Sequence, residues 1–249
     1  MLYETSVYYK YLVIRMKHIT SVTAWEIVKF YANGSFRPYG FEVKIGGDIP
    51  RMDVELENGK AYVVGSIDRM DMAEIDGQKF VTIVDYKSSV KDLEEEMEEA
   101  GVKIQPLIYA GVVRENMENV TIAAMFYMHM NDPLVKEEDI KDDLERAVAK
   151  KVEIKGVVLG DDAVLTGLDR DIADKEKIHR IPTGNKSCLP EEVLDRRIKN
   201  AKLKLKETAE KIMEGGIEIN PCDVKGFEPC KYCVYKNHCP ENKNTVVEN

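Results

Sequence analysis

Apolar residues recur at helical spacing at the start of the chain. Val22, Trp25 and Val28 lie three apart and Asn33-Gly34 stops the run, so residues 1–32 are predicted to be helical. After a break at Arg37-Pro38 the pattern changes to that of strands: Phe41 to Ile45, then Met52 to Leu56 and Ala61 to Met70. Glu57-Asn58-Gly59 lies between the last two, and Asn-Gly is a hairpin signal because both residues accept positive φ. Asp76-Gly77 turns the chain again into Lys79 to Tyr86, where Phe80, Ile83 and Val84 favour extended backbone. Three successive antiparallel strands are expected.

The acidic stretch Lys91 to Glu99 has the pattern of a solvated, helix-prone surface segment. Ile104 to Arg114 reads as a buried helix, with Pro106 tolerated in its first turn. Val120 to Met130 is an apolar strand ended by Asn131-Asp132-Pro133. A strand, helix, strand succession marks a crossover, so the sheet is expected to be mixed. Residues 137–151 read as helix and 153–188 as irregular, apart from a short strand at Val157 to Leu159. The clearest helix runs from Pro190 to Gly215, with Leu194, Ile198, Ala201, Leu205, Ala209 and Ile212 as its apolar stripe. Arg196, Lys199, Lys202 and Lys206 line a neighbouring face that can meet water or phosphates. The whole divides into a helical segment at 1–35, an α/β core over 36–220 with an insert near 131–189, and a cysteine-rich tail over 221–249.

Composition narrows the class. Of 249 residues, 44% are hydrophobic and 33% charged, a globular balance for one large domain or two small ones. No apolar run approaches the ~18 residues of a membrane span, and the first residues lack a basic n-region and a small-residue cleavage site, so the cytoplasm is the expected location. The net charge of -9 argues against coating nucleic acid by bulk positive charge. It leaves room for an enzyme that holds DNA in a local groove, where metal ions offset acidic ligands. No G-x4-G-K-[ST] is present, so ATP is not expected to bind this chain.

Two segments carry chemistry: Gly65-Ser66-Ile67-Asp68-Arg69-Met70-Asp71 and Val84-Asp85-Tyr86-Lys87-Ser88-Ser89. Each closes a strand predicted to pair with the other. Residues two apart on a strand share a face, so Asp85 and Lys87 project together and Asp68 can meet them from next door. Two aspartates so placed raise each other's pKa unless a cation intervenes. Hard oxygen ligands select Mg²⁺ or Mn²⁺, and such an ion assists attack of water on a phosphodiester. Lys87 would orient or deprotonate that water, or hold the phosphate. A single D-x-K also fits an ordinary ion pair at a strand end; two segments in order on paired strands are far more specific.

These segments resemble the RecB-like branch of the PD-(D/E)xK nucleases, in which G-x-I-D-R-x-D is followed by D-Y-K-[ST] and then by Q-x3-Y on a helix. Gln105-Pro106-Leu107-Ile108-Tyr109 matches the third motif, and its (i, i+4) spacing puts Gln105 and Tyr109 on one helical face. Phe36-Arg37-Pro38, Gly40-Phe41-Glu42, Phe126-Tyr127-Met128, Asp132-Pro133-Leu134 and Lys155-Gly156-Val157-Val158-Leu159 extend the similarity to nuclease domains of the AddB type, over about residues 20–240. The resemblance implies a restriction-endonuclease-like fold, a central mixed β-sheet flanked by helices. It implies Asp68, Asp85 and the carbonyl of Tyr86 as ligands of Mg²⁺ or Mn²⁺, Lys87 as catalytic lysine, and Gln105 and Tyr109 as organisers of site and DNA. It further implies single-stranded DNA ends as substrate, exonuclease action in recombinational repair, and a helicase–nuclease partner subunit of the AddA type. A catalytically inactive DNA-binding scaffold and a CRISPR-associated nuclease of the same superfamily are the alternatives.

Five cysteines are an odd count, and Cys230, Cys233 and Cys239 form C-x2-C-x5-C near the end. In a reducing compartment that spacing reads as a soft-metal site. Zinc is one occupant, with His238 or Cys222 completing a tetrahedral set; the resemblance implies a [4Fe–4S] cluster that staples the tail. The family's fourth ligand lies before the nuclease core, where this chain has no cysteine, and Cys222 is the candidate substitute. RecB-like nucleases usually add an early histidine to the metal site. His18 is the only early one here, and it also fits a helix-surface or core histidine. Glu42 is a further carboxylate that can approach the metal or face solvent, while His129 and His179 read as structural.

Overall fold

The computed structural model describes residues 6–88, 93–130, 135, 137–139, 144, 147–148, 154–175, 177, 179–222, 224 and 227–239. Helix α1 (Val7–Ala32) leads into strand β1 (Arg37–Ile45), a hairpin of β2 (Met52–Leu56) and β3 (Gly59–Val63), and two long strands, β4 (Gly65–Ile75) and β5 (Gln78–Lys87). Then come α2 (Glu95–Glu99), α3 (Gln105–Asn116), β6 (Val120–His129), β7 (Ile154–Leu159), α4 (Asp162–Leu168), β8 (Cys188–Leu189) and α5 (Glu191–Met213).

Six strands form one sheet in the order β1-β4-β5-β6-β7-β8. The pairs β1–β4, β4–β5 and β6–β7 are antiparallel, whereas β5–β6 and β7–β8 are parallel. The sheet is therefore mixed, and α3 makes the crossover that parallel β5 and β6 require. Strand β6 reads as a continuous apolar run because both its faces are covered. Ile122, Met125 and Tyr127 join the layer built by α3 and α5, while Ala123, Ala124, Phe126 and Met128 join the layer that receives Phe30 of α1 and Val164 of α4. Gly156 is obligatory on β7: its φ is 125°, and a Cβ there would clash with the Met125 carbonyl oxygen.

The structure departs from the sequence pattern in several places. The predicted strand over residues 61–70 is two strands, broken at exposed Val64. The chain switches sheets there: β3 pairs with β2 as a separate two-stranded sheet, and β1 takes the place beside β4. On α1 the apolar positions do not mark the buried face, for Trp25 and Val28 are exposed while Thr23, Glu26 and Phe30 are buried. Ion pairs draw Glu26 inward, to Arg180 Nε at 2.8 Å and Lys29 Nζ at 3.0 Å, and Val22 and Trp25 line a shallow groove with Leu144 and Val148.

The acidic segment is helical and exposed at Glu94, Glu95, Glu96 and Glu99, as expected, but its other side is docked. Leu93, Met97 and Glu98 are buried, and Glu98 takes two hydrogen bonds from Arg197 of α5, that from Nε at 2.7 Å. The segment 153–188 contains α4, whose N-cap Asp161 accepts from Val164 N–H at 3.0 Å. Of the predicted helix at 137–151, Glu137–Asp139 form a 3₁₀ turn and Leu144, Ala147 and Val148 are helical. The rest lies outside the described residues, as do Ser89 and the Asn131-Asp132-Pro133-Leu134 stretch. No helix among the described residues is long and apolar enough to cross a membrane.

Candidate active site

The β4–β5 ladder runs from Ile75/Gln78 to Arg69/Val84. Past that point each strand follows its other neighbour: β5 pairs Asp85, Tyr86 and Lys87 with Tyr127, Met128 and His129 of β6, and β4 pairs Ile67 with Val43 of β1. The bond that crosses the end of the ladder comes from a side chain, with Asp68 Oδ2 accepting the Tyr86 N–H at 2.8 Å. Asp68 thus lies against the peptide between Asp85 and Lys87.

Strand alternation sets Asp85 and Lys87 on the face of Val81 and Ile83, which belongs to the α3 layer. Lys87 Nζ pairs with Asp85 Oδ2 and stands 5.9 Å from the centroid of the Tyr127 ring. The aspartate is 5% exposed, and the lysine side chain retains 24% exposure. A carboxylate is thereby held in a dry setting by a cation whose side chain stays partly exposed. Gln105 opens α3, and its Nε2 donates to the Tyr109 hydroxyl at 2.9 Å. Tyr109 in turn lies against Gly65, where a Cβ would come 2.9 Å from the phenol oxygen. The third motif therefore meets β4 three residues ahead of Asp68.

Arg69 and Asp71 of the same motif face the other layer, whereas Ile67 and Met70 pack with the α3 layer. Arg69 and Asp71 are buried, 1% and 0% exposed, with Nε to Oδ1 at 3.2 Å. Tyr31 of α1 donates to Asp71 Oδ1 at 2.5 Å, Thr82 Oγ1 donates to Oδ2 at 3.3 Å, and Arg69 Nη1 donates to the Tyr86 hydroxyl at 2.7 Å. Burial pushes the Asp71 carboxyl up against the opposing pull of Arg69. Burial likewise raises the Tyr31 and Tyr86 phenols, Asp71 adding to the effect on each, so both stay neutral. Sequence reasoning missed this group as a unit. The signal available was the alternation itself, since Arg69 and Asp71 lie two apart on the face that Asp68 does not share.

Glu42 is exposed, lies between the pairs Phe41/Arg69 and Val43/Ile67, and accepts from Ser66 Oγ at 3.0 Å. Its φ of 49° is uncommon for a residue other than glycine. His18 is exposed on α1, the helix whose Phe30 and Tyr31 pack on the opposite face from Asp85. His129 is buried on β6 beside Lys87. His179 has partners that the sequence did not reveal: Nδ1 meets Asp169 Oδ2 at 2.9 Å and Nε2 the Asp174 carbonyl at 2.8 Å.

Asp68, Asp85 and the Tyr86 carbonyl make a donor set of hard oxygens. That fits Mg²⁺ or Mn²⁺, which take one or two carboxylates and keep water in the remaining positions. The cysteines differ. Cys230 sits in a 3₁₀ turn (Pro229–Tyr232), Cys233 is exposed, and Cys222 and Cys239 are half-buried. Among the described residues no three His, Cys, Asp or Glu side chains converge as a metal cage. As placed, the described tail residues do not assemble a four-ligand set.

A mixed sheet flanked by helices, with D-x-K at the end of one strand and an aspartate on its neighbour, defines a class. The chain belongs to the PD-(D/E)XK nuclease superfamily, whose family profile matches residues 2–240. Its curated relatives include the B subunit of the ATP-dependent helicase/deoxyribonuclease of Alkaliphilus oremlandii, 33% identical over 250 residues. The proteins of the same name from Alkaliphilus metalliredigens and Clostridium acetobutylicum are 34% and 31% identical. The Alkaliphilus alignments cover 93% of this chain and 22% of the relatives, so the chain spans about a fifth of their length.

Proposed function

We propose that this chain is a metal-dependent deoxyribonuclease domain that hydrolyses phosphodiester bonds at single-stranded DNA ends, acting with a helicase–nuclease partner of the AddA type. The observation that carries the reading is the meeting of the Asp68 carboxylate with the Asp85-Tyr86-Lys87 segment where β4 and β5 part. The similarity to the B subunits of helicase/deoxyribonucleases supports the DNA substrate and the partner.

In this reading Asp68, Asp85 and the Tyr86 carbonyl hold one divalent cation. When bound, that ion supplies Lewis-acid neutralisation of charge on the phosphoryl oxygens. Lys87, which stands beside Asp85, would orient or deprotonate the attacking water, or hold the phosphate. Water adds its oxygen to phosphorus and the bond to one ester oxygen breaks, leaving a phosphate and a hydroxyl end. Gln105 and Tyr109 fix the start of β4 and flank the nucleotide.

Incubation of the chain with labelled single-stranded DNA and Mn²⁺, beside Lys87→Ala, tests this. Loss of a general acid–base group is expected to slow cutting by about 10²–10⁴-fold. Equal traces of cutting by both proteins would indicate contamination and favour a non-catalytic DNA-binding module.

A further inference from the structure

We propose that Arg69 is a positioning residue: its hydrogen bond to the Tyr86 phenol, made on the face of the sheet away from Asp85 and Lys87, sets how far β4 and β5 part at the metal site. The inference rests on the proposed function, since it takes Asp68, Asp85 and the Tyr86 carbonyl as the cation's donors.

The ladder between the two strands stops at Arg69/Val84. Beyond it β5 stays paired with β6, and two side-chain contacts link Tyr86 to β4. One lies at the site, from the Tyr86 N–H to Asp68 Oδ2 at 2.8 Å. The other lies behind it, from Arg69 Nη1 to the Tyr86 hydroxyl at 2.7 Å. Tyr86 is thus gripped from β4 at its amide and at its phenol, and the carbonyl assigned to the donor set belongs to that same residue.

Arg69 is itself fixed. It is 1% exposed, ion-paired to Asp71 at 3.2 Å, and its guanidinium carbon lies 5.2 Å and 5.5 Å from the centroids of the Tyr31 and Tyr86 rings. Asp71 is anchored to α1 through the Tyr31 hydroxyl at 2.5 Å. Burial and the pair with Asp71 limit the travel of this guanidinium, although its Nε and Nη2 make no hydrogen bond, so its bond to the phenol tethers Tyr86 to β4. Groups that orient ligands from behind are worth about 10–100-fold in metal affinity.

Tyr86→Phe removes one oxygen and keeps the ring. Titration of the DNA-free chain with Mn²⁺, followed calorimetrically, is expected to show about 10–100-fold weaker binding in the variant. Its far-ultraviolet circular dichroism should be unchanged, and saturating Mn²⁺ should restore most of the DNA-cutting rate. Asp85→Asn is the reference that abolishes binding. If Tyr86→Phe lowers the melting temperature but binds Mn²⁺ as tightly as the parent, the phenol is only structural; this proposal is overturned while the assignment of function stands. If the parent chain binds no Mn²⁺, the metal site and this proposal fall together.

Discussion

A methyl group at residue 65 would sit 2.9 Å from the Tyr109 hydroxyl and 3.3 Å from its ring, closer than packed atoms approach. The third motif thus depends on a missing side chain in the first. Gly65→Ala should displace Tyr109 and strain its bond to Gln105, at a cost of about 1–3 kcal/mol for overpacking. Scanning calorimetry checks this as a melting temperature several degrees lower, and an unchanged melting curve would count against the contact. The order of the three motifs is legible in the sequence, because strand alternation and helical (i, i+4) spacing are local rules. Pairings such as Tyr31 with Asp71, forty residues apart, are not. They depend on where α1 lands on the sheet, and no periodicity encodes that. The cysteine spacing is legible only as a turn: C-x2-C specifies a local bend, whereas bringing up Cys222 requires the tail to fold back.

At the scale of elements, buried charge ties helices to strands. The bidentate Arg197–Glu98 pair locks α2 onto α5, and removing one partner of such a pair typically costs about 3–5 kcal/mol. This is why an acidic stretch that reads as a solvated helix is docked: composition shows the charges but not the buried cation opposite them. The Arg69–Asp71–Tyr31 group joins α1 to β4 in the same manner, with one pH-dependent consequence. Burial raises the Asp71 carboxyl above its ordinary 3.8, so the native state binds more protons at this site than the unfolded chain. The contribution from this group is then complete below 3.8 and is lost as pH rises through the raised value. Asp71→Asn fixes the neutral form. Urea denaturation at a series of pH values should show the parent losing stability relative to the variant from about pH 4 upward, then a constant difference. A difference that widens in favour of the parent as pH rises would contradict this.

Over the whole molecule the charge is -9, a field that repels a polyanion rather than steering it in. The basic row on α5 does little to reverse that. Arg196 pairs with Glu95, Lys202 with Glu115 and Lys206 with Glu210, and Lys199 shares its groove with Asp53, Glu55, Glu115 and Asp195. Fixed cations that are already paired at the surface release few counterions from DNA, so metal-free binding should be weak and only shallowly dependent on salt. In the proposed function a divalent ion between Asp68 and Asp85 would change the local sign from repulsive to attractive. Fluorescence anisotropy of a labelled single-stranded oligonucleotide, in EDTA and then in Ca²⁺ as a hard oxygen-seeking cation, measures that change. Binding should tighten by about tenfold or more, ~1.4 kcal/mol, and the gain should vanish in Asp68→Asn with Asp85→Asn. Equal affinity in EDTA and Ca²⁺ would move DNA recognition from the strand ends to the fixed cations of α5.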